Sequence, residues 1–195
     1  MLSSQFPKPA ERAAFFLREW ASDPLRVAAI APSSQGLARL ITSEINTCDV
    51  PVIELGPGTG VFTHALIAKG VSEKDITLIE LNERFATELA RTFPSARVLR
   101  ASAELLSQRS VIDEPGAGAI ISGLGLLSMP NQIVERVLQG SLDNLRQDGR
   151  IYQFTYGWRC PVPAGLLKKF NLEAVRIGTV CANLPPASVY RLTRK

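Results

Sequence analysis

The sequence has few of the residues on which several kinds of site depend. Its 195 residues include one histidine, His64, and three cysteines, Cys48, Cys160 and Cys181. The cysteines are odd in number, far apart and without a C-x-x-C pair, so we expect neither a disulfide framework nor a zinc site. Free thiols are typical of a reducing compartment. A lone histidine gives no metal or catalytic cluster, and we interpret His64 as structural.

The sequence also lacks long apolar runs. The most apolar stretch, residues 116–127, is rich in glycine and shorter than the ~20 residues that a membrane-spanning helix needs. The first nine residues have no basic region followed by an apolar one, so no signal peptide is expected. The net charge of +4 fits a phospholipid surface, a nucleic acid or a basic enzyme with no such preference.

A glycine loop stands between an apolar strand and a helix-like pattern. The strand-like run 52–55 is followed by Gly56, Gly58 and Gly60. This order forms the turn that binds nucleotide-like cofactors, because glycine reaches positive φ cheaply and lets a ligand approach the backbone. Glu54, two residues before the first glycine, would repel a pyrophosphate. It suits a ligand with a positive charge, such as the methionine end of S-adenosylmethionine (SAM).

A second acid supports the same cofactor. The apolar run 76–80 ends in Glu80, which lies 20 residues after Gly60. At this spacing a carboxylate at the end of the second strand meets a ribose diol. The alternative, a glycine turn beside a solvated acid, leaves the agreement of loop, flanks and spacing unexplained. The stretch E-L-G-P-G-T-G (54–60) resembles motif I of class I SAM-dependent methyltransferases, and Glu80 resembles their ribose-binding acid.

Strands and helices alternate along the rest of the chain. The predicted strands are 51–55, 76–80, 96–100, 118–122 and 150–156, and the predicted helices are 60–69, 82–92, 103–109 and 130–146. This alternation predicts an α/β fold, with helices on both faces of a parallel sheet. Asp148-Gly149 predicts a turn before the fifth strand. Two more strands, Leu172–Ala182 and Ser188–Leu192, predict an antiparallel hairpin at the end of the sheet.

The chain before the glycine loop is predicted to form two helices. The helix over residues 9–22 has an apolar face that suits either a membrane interface or a lid over a small domain. Its expected membrane contacts are Phe15, Phe16, Trp20, Arg12 and Arg18. Ser33 or Ser34 predicts the start of a second helix that continues through Ile45. We therefore expect an N-terminal lid or membrane-association segment over 1–46 and a cofactor-binding domain over 47–195.

Ligands in open α/β sheets lie beyond the carboxyl ends of the strands, and the residues at these ends are the site candidates. The candidates for cofactor binding are Glu54, Gly56, Gly58, Gly60, Glu80, Leu81, Ser102, Ala103 and Ser122. Ser122 and Tyr156 are also the catalytic candidates. The candidates for substrate binding are Arg159, Tyr190 and Arg191, because arginine can bind a phosphate bidentately. No metal ion is expected.

Five pieces of the sequence together resemble the bacterial phospholipid N-methyltransferases, which convert phosphatidylethanolamine toward phosphatidylcholine. These pieces are A-P-S-S (31–34), E-L-G-P-G-T-G (54–60), S-G-L-G-L-L-S-M-P (122–130), Q-F-T-Y-G (153–157) and N-L-P-P-A-S-V-Y-R (183–191). The resemblance covers nearly the whole chain. It implies the Rossmann-like class I methyltransferase fold, with seven strands of which the last is inserted antiparallel. It also implies SAM as cofactor, anionic lipids as partners and a place on the inner face of the cytoplasmic membrane.

The sequence departs from related patterns near the expected substrate pocket. Gly125 and Trp158 stand where the phospholipid methyltransferases commonly have proline, and Ser102 stands where many class I enzymes have an adenine-binding aspartate. Enzymes that methylate adenine carry an aromatic after the fourth strand to stack the base. The stretch 122–125 has none, which favours a smaller amine over a nucleic acid, although a glycine-rich strand end can also serve packing alone.

Two other hypotheses remain beside lipid methylation. One is a methyltransferase of ribosomal-RNA adenine or of a small molecule on the same fold. The other is a peripheral membrane protein that holds SAM without catalysis and acts by inserting its N-terminal helix.

Overall fold

The computed structural model describes residues 32–108, 111, 116–183 and 185–195. The helices are α1 Pro32–Ile41, α2 Val61–Ala68, α3 Glu83–Thr92, α4 Asn131–Asp143 and α5 Ala164–Lys169. The strands are β1 Val52–Leu55, β2 Ile76–Glu80, β3 Arg97–Arg100, β4 Ala117–Ser122, β5 Leu145–Tyr156, β6 Leu172–Val180 and β7 Ala187–Arg194. Short 3₁₀ turns follow β3 and β4, over Ala103–Gln108 and Leu126–Ser128.

The seven strands form one sheet in the order β3-β2-β1-β4-β5-β7-β6. Strands β1 to β5 pair in parallel, and β7 runs antiparallel to both β5 and β6. The structure confirms the predicted α/β fold and the antiparallel strand inserted at the end. Every residue of β1, β2 and β4 is buried, as expected for central parallel strands that are covered on both faces.

Two hydrophobic cores lie on opposite faces of the sheet. One contains Leu37 of α1, Leu66 of α2 and Leu89 of α3. The other contains residues of α4, such as Val134, and Leu106 of the turn after β3. The helices therefore cover both faces of the sheet, which leaves its carboxyl edge to the loops that follow the strands.

The prediction for the helix before the glycine loop was wrong at both ends. Helix α1 begins at Pro32, before the predicted start at Ser33 or Ser34. It ends at Ile41, and the amide of Ile45 then donates to the carbonyl of Thr42 at 3.0 Å in a tight turn. The apolar period continued to Ile45 because that side chain is fully buried in the same core, although the backbone has left the helix.

The fifth strand begins earlier than predicted. Helix α4 ends at Asp143, and β5 runs from Leu145 through the expected turn at 148–149. A Cβ atom on Gly149 would lie 2.7 Å from Leu145 Cδ1 and 2.9 Å from the Ala117 carbonyl oxygen. The register of β5 against β4 shifts between Leu145 and Arg150, so Gly149 lies in an irregular part of the strand, at the predicted turn, and glycine is required there for close packing.

The predicted membrane-contact residues of the helix over 9–22 lie outside the described residues. The described part of the N-terminal segment packs into the core through Leu37, Ile41 and Ile45, and the division at residue 46 stays a prediction. None of the helices in the described part of the chain has the length and apolarity that crossing a bilayer requires. Within the same residues, no group of three or more His, Cys, Asp or Glu side chains could bind a metal ion.

Candidate functional site

The glycine loop joins β1 to α2, and its three glycines have positive φ: 65° at Gly56, 55° at Gly58 and 77° at Gly60. A Cβ atom on Gly56 would lie 2.7 Å from Leu124 Cδ2, and one on Gly60 would lie 2.5 Å from Phe93 Cε2. A side chain at either glycine would therefore have to adopt a positive φ and displace a neighbouring side chain. A Cβ on Gly58 would meet nothing within 4 Å, so the middle of the loop borders open space.

Glu80 holds the loop from the neighbouring strand. It ends β2 and is 8% exposed. Its Oε2 accepts a hydrogen bond from the amide of Gly58 at 3.1 Å, and its Oε1 accepts one from the amide of Asn82 at 2.8 Å. The second acid predicted from spacing thus lies directly against the loop. Two backbone amides therefore hold the Glu80 carboxyl group in place, one on each oxygen, at this edge of the sheet.

Glu54 places a second carboxyl group beneath the same loop. Its side chain is fully buried, and Oε2 accepts a 2.7 Å hydrogen bond from Thr63 Oγ1 on α2. Oε1 is buried and has no hydrogen-bond partner. Burial is the main cause that raises the pKa of Glu54 to about 7; the Thr63 bond opposes this rise, and the charge of Glu80 contributes to it. A buried carboxyl oxygen without a donor suits a cationic ligand.

The residues after β3 lie beside Glu80. The amide of Ala101 donates to the Glu80 carbonyl at 3.2 Å, which ties this loop to the end of β2. Ser102 Oγ donates to Glu104 Oε1 at 3.3 Å, and Glu104 also pairs with Arg136 at 3.4 Å. Leu81 is 67% exposed, a large apolar side chain open to solvent. Ser102 and Ala103 thus stand at the same edge as Glu80, with the Ser102 hydroxyl turned to a carboxylate.

The end of β4 packs directly on the glycine loop. The amide of Gly123 donates to the Leu55 carbonyl at 2.8 Å, and a Cβ on Gly123 would lie 2.6 Å from the Gly56 carbonyl oxygen. Ser122 is buried, and its Oγ accepts from the amide of Leu124 at 3.4 Å. Gly123 is therefore required for close packing against the glycine loop. This packing keeps Ser122 on the strand next to the one that carries the loop.

Gln153 is a site-bordering residue that the sequence did not single out. It is buried on β5, and its Nε2 donates to the Leu124 carbonyl at 2.8 Å and to the Phe154 carbonyl at 2.7 Å. The first bond fixes the loop after β4 to the neighbouring strand. The available signal was an amide within the apolar and aromatic run 151–154, because a buried amide needs partners.

Tyr156 ends β5 in an aromatic cluster. Its ring packs edge-on against Phe154 with centroids 5.5 Å apart, and Phe154 packs likewise against Phe62 of α2 at 6.2 Å. Burial raises the pKa of Tyr156 to about 12, so the phenol keeps its proton at neutral pH. Tyr156 can therefore donate or accept a hydrogen bond there, but it is a poor general base.

The loop after β5 is held by two hydroxyl groups from β7. Ser188 Oγ donates to the Gly157 carbonyl at 2.6 Å, and Tyr190 Oη donates to the Trp158 carbonyl at 2.6 Å. The Trp158 ring is 57% exposed, with the guanidinium of Arg176 6.0 Å from its centroid. Tyr190 thus acts on this loop through the backbone, which is a positioning role.

The two candidate arginines occupy different places. Arg159 is exposed in the loop after β5 and forms no ion pair with another described residue. Arg191 lies opposite Tyr152, four residues before the end of β5, and its Nη1 donates to both carboxylate oxygens of Glu44 at 2.9 Å. The structure therefore brings Arg159 to the carboxyl edge and leaves Arg191 away from it, engaged by an acid of the turn after α1.

No protein-family model and no curated protein matches this sequence. Solved structures do match. A TehB-like SAM-dependent methyltransferase from Corynebacterium glutamicum is 19% identical with a TM-score of 0.62, over 96% of this chain and 100% of that one. The 1,6-didemethyltoxoflavin-N1-methyltransferase of Burkholderia thailandensis, solved with its substrate and S-adenosylhomocysteine, is 14% identical with a TM-score of 0.63, over 98% and 93%.

A third similar structure is the magnesium protoporphyrin IX methyltransferase of Synechocystis PCC 6803, solved with SAM. It is 12% identical with a TM-score of 0.61, and the match covers 83% of this chain and 78% of that one. At these identities the likeness establishes the fold, which is that of the class I SAM-dependent methyltransferases. The last two are named for different acceptors, 1,6-didemethyltoxoflavin and magnesium protoporphyrin IX, so the fold does not indicate the acceptor.

Proposed function

We propose that this protein is a SAM-dependent N-methyltransferase that acts on the amine headgroup of phosphatidylethanolamine or of its methylated derivatives. The observation that carries the cofactor part is the pair of carboxyl groups at the glycine loop. Glu80 is bonded to the amide of Gly58, and Glu54 is buried with one oxygen unpartnered. A ligand with a ribose diol and an ammonium group suits both.

The residues of the site fit SAM. Gly58 leaves open space where any other residue would place a Cβ atom. Glu80 would bind the ribose hydroxyls, since each carboxylate oxygen can accept more than one hydrogen bond. Glu54 would bind the ammonium of the methionine part, and the exposed Leu81 would cover the adenine, with Ser102 and Ala103 at its edge. When bound, SAM supplies an electrophilic methyl group on a positively charged sulfur.

The acceptor nitrogen must reach this methyl group as a free amine. An alkylammonium has a pKa of ~10.4, so roughly one molecule in 10³ carries the lone pair at pH 7. A protonated Tyr156 does not remove this proton, and its phenol instead orients the nitrogen together with Ser122. Desolvation lowers the pKa of an ammonium, and this favours the free amine in an apolar pocket. The displaced proton then leaves to solvent.

A lipid acceptor is supported by the side chains around the edge of the sheet. Leu127 is 51% exposed after β4, and Trp158 is 57% exposed after β5. Arg159, next to Trp158, has its guanidinium unpaired among the described residues and can bind a phosphodiester. Apolar side chains beside a free cation suit a phospholipid headgroup with its acyl chains. With the five sequence pieces above, this supports a peripheral enzyme on the inner face of the cytoplasmic membrane.

A small-molecule acceptor is the second candidate, because one of the similar structures methylates a nitrogen of a small heterocycle. The deciding experiment is methyl transfer from labelled SAM to separate acceptors: phosphatidylethanolamine vesicles, monomethylated-lipid vesicles, soluble phosphoethanolamine and total RNA. Phosphoethanolamine is the matched control, since it has the same amine and phosphate without acyl chains. We expect label in the vesicle lipids and little in phosphoethanolamine.

Each other outcome has a definite meaning. Equal rates with phosphoethanolamine and with vesicles would show that methyl transfer does not require a membrane. Label only in RNA would overturn the argument from the missing aromatic after β4. Binding of SAM without transfer to any of these acceptors would refute lipid methylation and leave either another small-molecule acceptor or the non-catalytic membrane protein.

A further inference from the structure

The bond between Thr63 and Glu54 is unusual for a hydroxyl group on a helix. Thr87 of α3 and Ser141 of α4 each donate to the carbonyl four residues earlier, at 2.9 and 2.7 Å. This is the ordinary arrangement for such residues in helices. Thr63 lies in the first turn of α2, where no helical residue stands four positions earlier, and it donates to Glu54 Oε2 across the interface with β1. Its hydroxyl is thus used to hold a carboxyl group at the glycine loop.

We propose that Thr63 is a positioning residue, which fixes one oxygen of Glu54 so that the other receives the ammonium of the bound cofactor, and that cofactor binding thereby expels a proton from Glu54. This rests on the proposed function in taking SAM as the ligand. It does not depend on which molecule accepts the methyl group.

The geometry of the Thr63 and Glu54 side chains supports the proposal. Both side chains are completely buried, so the 2.7 Å bond is not exchanged with water. Glu54 Oε1 lacks a partner, and a buried carboxyl oxygen without a donor is costly once ionised. Thr63 has a branched Cβ and few side-chain rotamers in a helix, so it holds Oε2 in one orientation. The remaining oxygen is thereby left for a ligand.

The charges that act on Glu54 also support the proposal. Among the described charged groups, Glu80 is the one whose charge acts on Glu54, and it opposes ionisation. No described cation compensates. With a pKa of about 7, Glu54 carries its proton in a large part of the ligand-free molecules at neutral pH. An ammonium at Oε1 requires the ionised form, so below pH 7 each pH unit should weaken binding about tenfold.

The test compares two ligands that differ in the group at issue. S-adenosylhomocysteine carries the amino-acid end, and 5′-methylthioadenosine has the same nucleoside without it. Calorimetric titrations from pH 5.5 to 8, in buffers of different ionisation enthalpy, give affinity and proton release together. For the wild type we expect the S-adenosylhomocysteine affinity to fall about tenfold per unit below pH 7 with release of a proton, and the methylthioadenosine affinity to stay constant.

Thr63→Val keeps the shape of the side chain and removes the hydroxyl. We expect it to weaken S-adenosylhomocysteine at pH 7 by roughly tenfold, which is the loss of a hydrogen bond to a charged group, and to move the break in the pH profile upward. Thr63→Ser should restore both. Methylthioadenosine should bind all three proteins equally, and a purely structural role would instead weaken both ligands alike.

The outcomes separate this proposal from the proposed function. Equal pH profiles for the two ligands in the wild type would overturn the role of Glu54 and Thr63, and this arm needs no variant to fold. A profile unchanged by Thr63→Val would overturn the positioning role alone. Failure of both ligands to bind would refute the cofactor assignment itself, whereas failure of lipid methylation with the expected profiles would refute only the acceptor.

Discussion

Replacing Glu54 by glutamine should make the ligand-free protein more stable above neutral pH. The carboxyl group has a pKa of about 7 in the folded protein and an ordinary value of 4.5. Below pH 4.5 it is protonated in the folded and unfolded chains. As the pH rises further, the unfolded chain ionises first, so the folded state loses stability until ionisation at pH 7 is also complete.

The magnitude follows from the two pKa values. Each pKa unit corresponds to about 1.4 kcal/mol, so the complete loss is about 3 kcal/mol. Between pH 5 and pH 8 the loss is about 2.5 kcal/mol, because part of the titration lies outside that range. The group is fully buried, and solvent screening does not reduce this figure. Glutamine does not titrate, so the Glu54→Gln variant should not lose this stability as the pH rises.

The measurement is urea unfolding of the wild type and of Glu54→Gln at pH 5 and pH 8. A buried glutamine amide has its own cost, but that cost does not change with pH. The change in the stability difference between the two pH values therefore isolates the ionisation. Glu88→Gln, which removes a negative charge from the exposed surface of α3, is the control. A difference that stays constant from pH 5 to pH 8 would refute the reasoning on Glu54.

Three further predictions concern other parts of the site. Gly58→Val should abolish cofactor binding, because the valine side chain would enter the open space beside the loop in a strained backbone conformation. The control Gly165→Val, on an exposed helical turn, should bind the cofactor normally. Titration with S-adenosylhomocysteine distinguishes the two variants. Tyr190→Phe should cost about 1 kcal/mol of stability in urea unfolding and raise the KM for the acceptor, with cofactor affinity unchanged. The double substitution Phe16→Ser and Trp20→Ser should weaken sedimentation with anionic liposomes and leave cofactor binding intact. Unchanged sedimentation would rule out membrane association through the predicted helix over residues 9–22.

The sequence predicted where the glycine loop and Glu80 lie because their signals are local. Glycine is the residue type that most easily adopts the positive φ seen at Gly56 and Gly58, and the position of Glu80 follows from the length of one strand-helix-strand unit. The hydrogen bond between Glu80 and the Gly58 amide was not predicted. The parallel sheet followed from the alternation of strands and helices and the antiparallel hairpin from two consecutive strands, whereas the insertion of the last strand was implied by the family resemblance.

The contacts that the sequence did not predict join distant segments. Gln153 bonds to Leu124, 29 residues away, and Arg191 bonds to Glu44, 147 residues away. No local pattern specifies such partners. Gly149 shows a related difficulty, since the sequence marks the irregularity at 148–149 but not the pairing of β5 with β4 on both sides of it.

The place of β7 between β5 and β6 has a consequence for synthesis of the chain. As the chain emerges from the ribosome, β5 and β6 come first, yet they do not pair with each other. Both pair with β7, whose residue Arg194 also donates to the carbonyls of Leu142 and Leu145 at 2.8 and 3.1 Å. Until residues 187–194 are available, β5 has an unpaired edge and β6 has no sheet to join. Insertion of β7 therefore covers the edge of β5 and brings β6 into the sheet in a single step, and an unpaired strand edge of this kind is a site of aggregation.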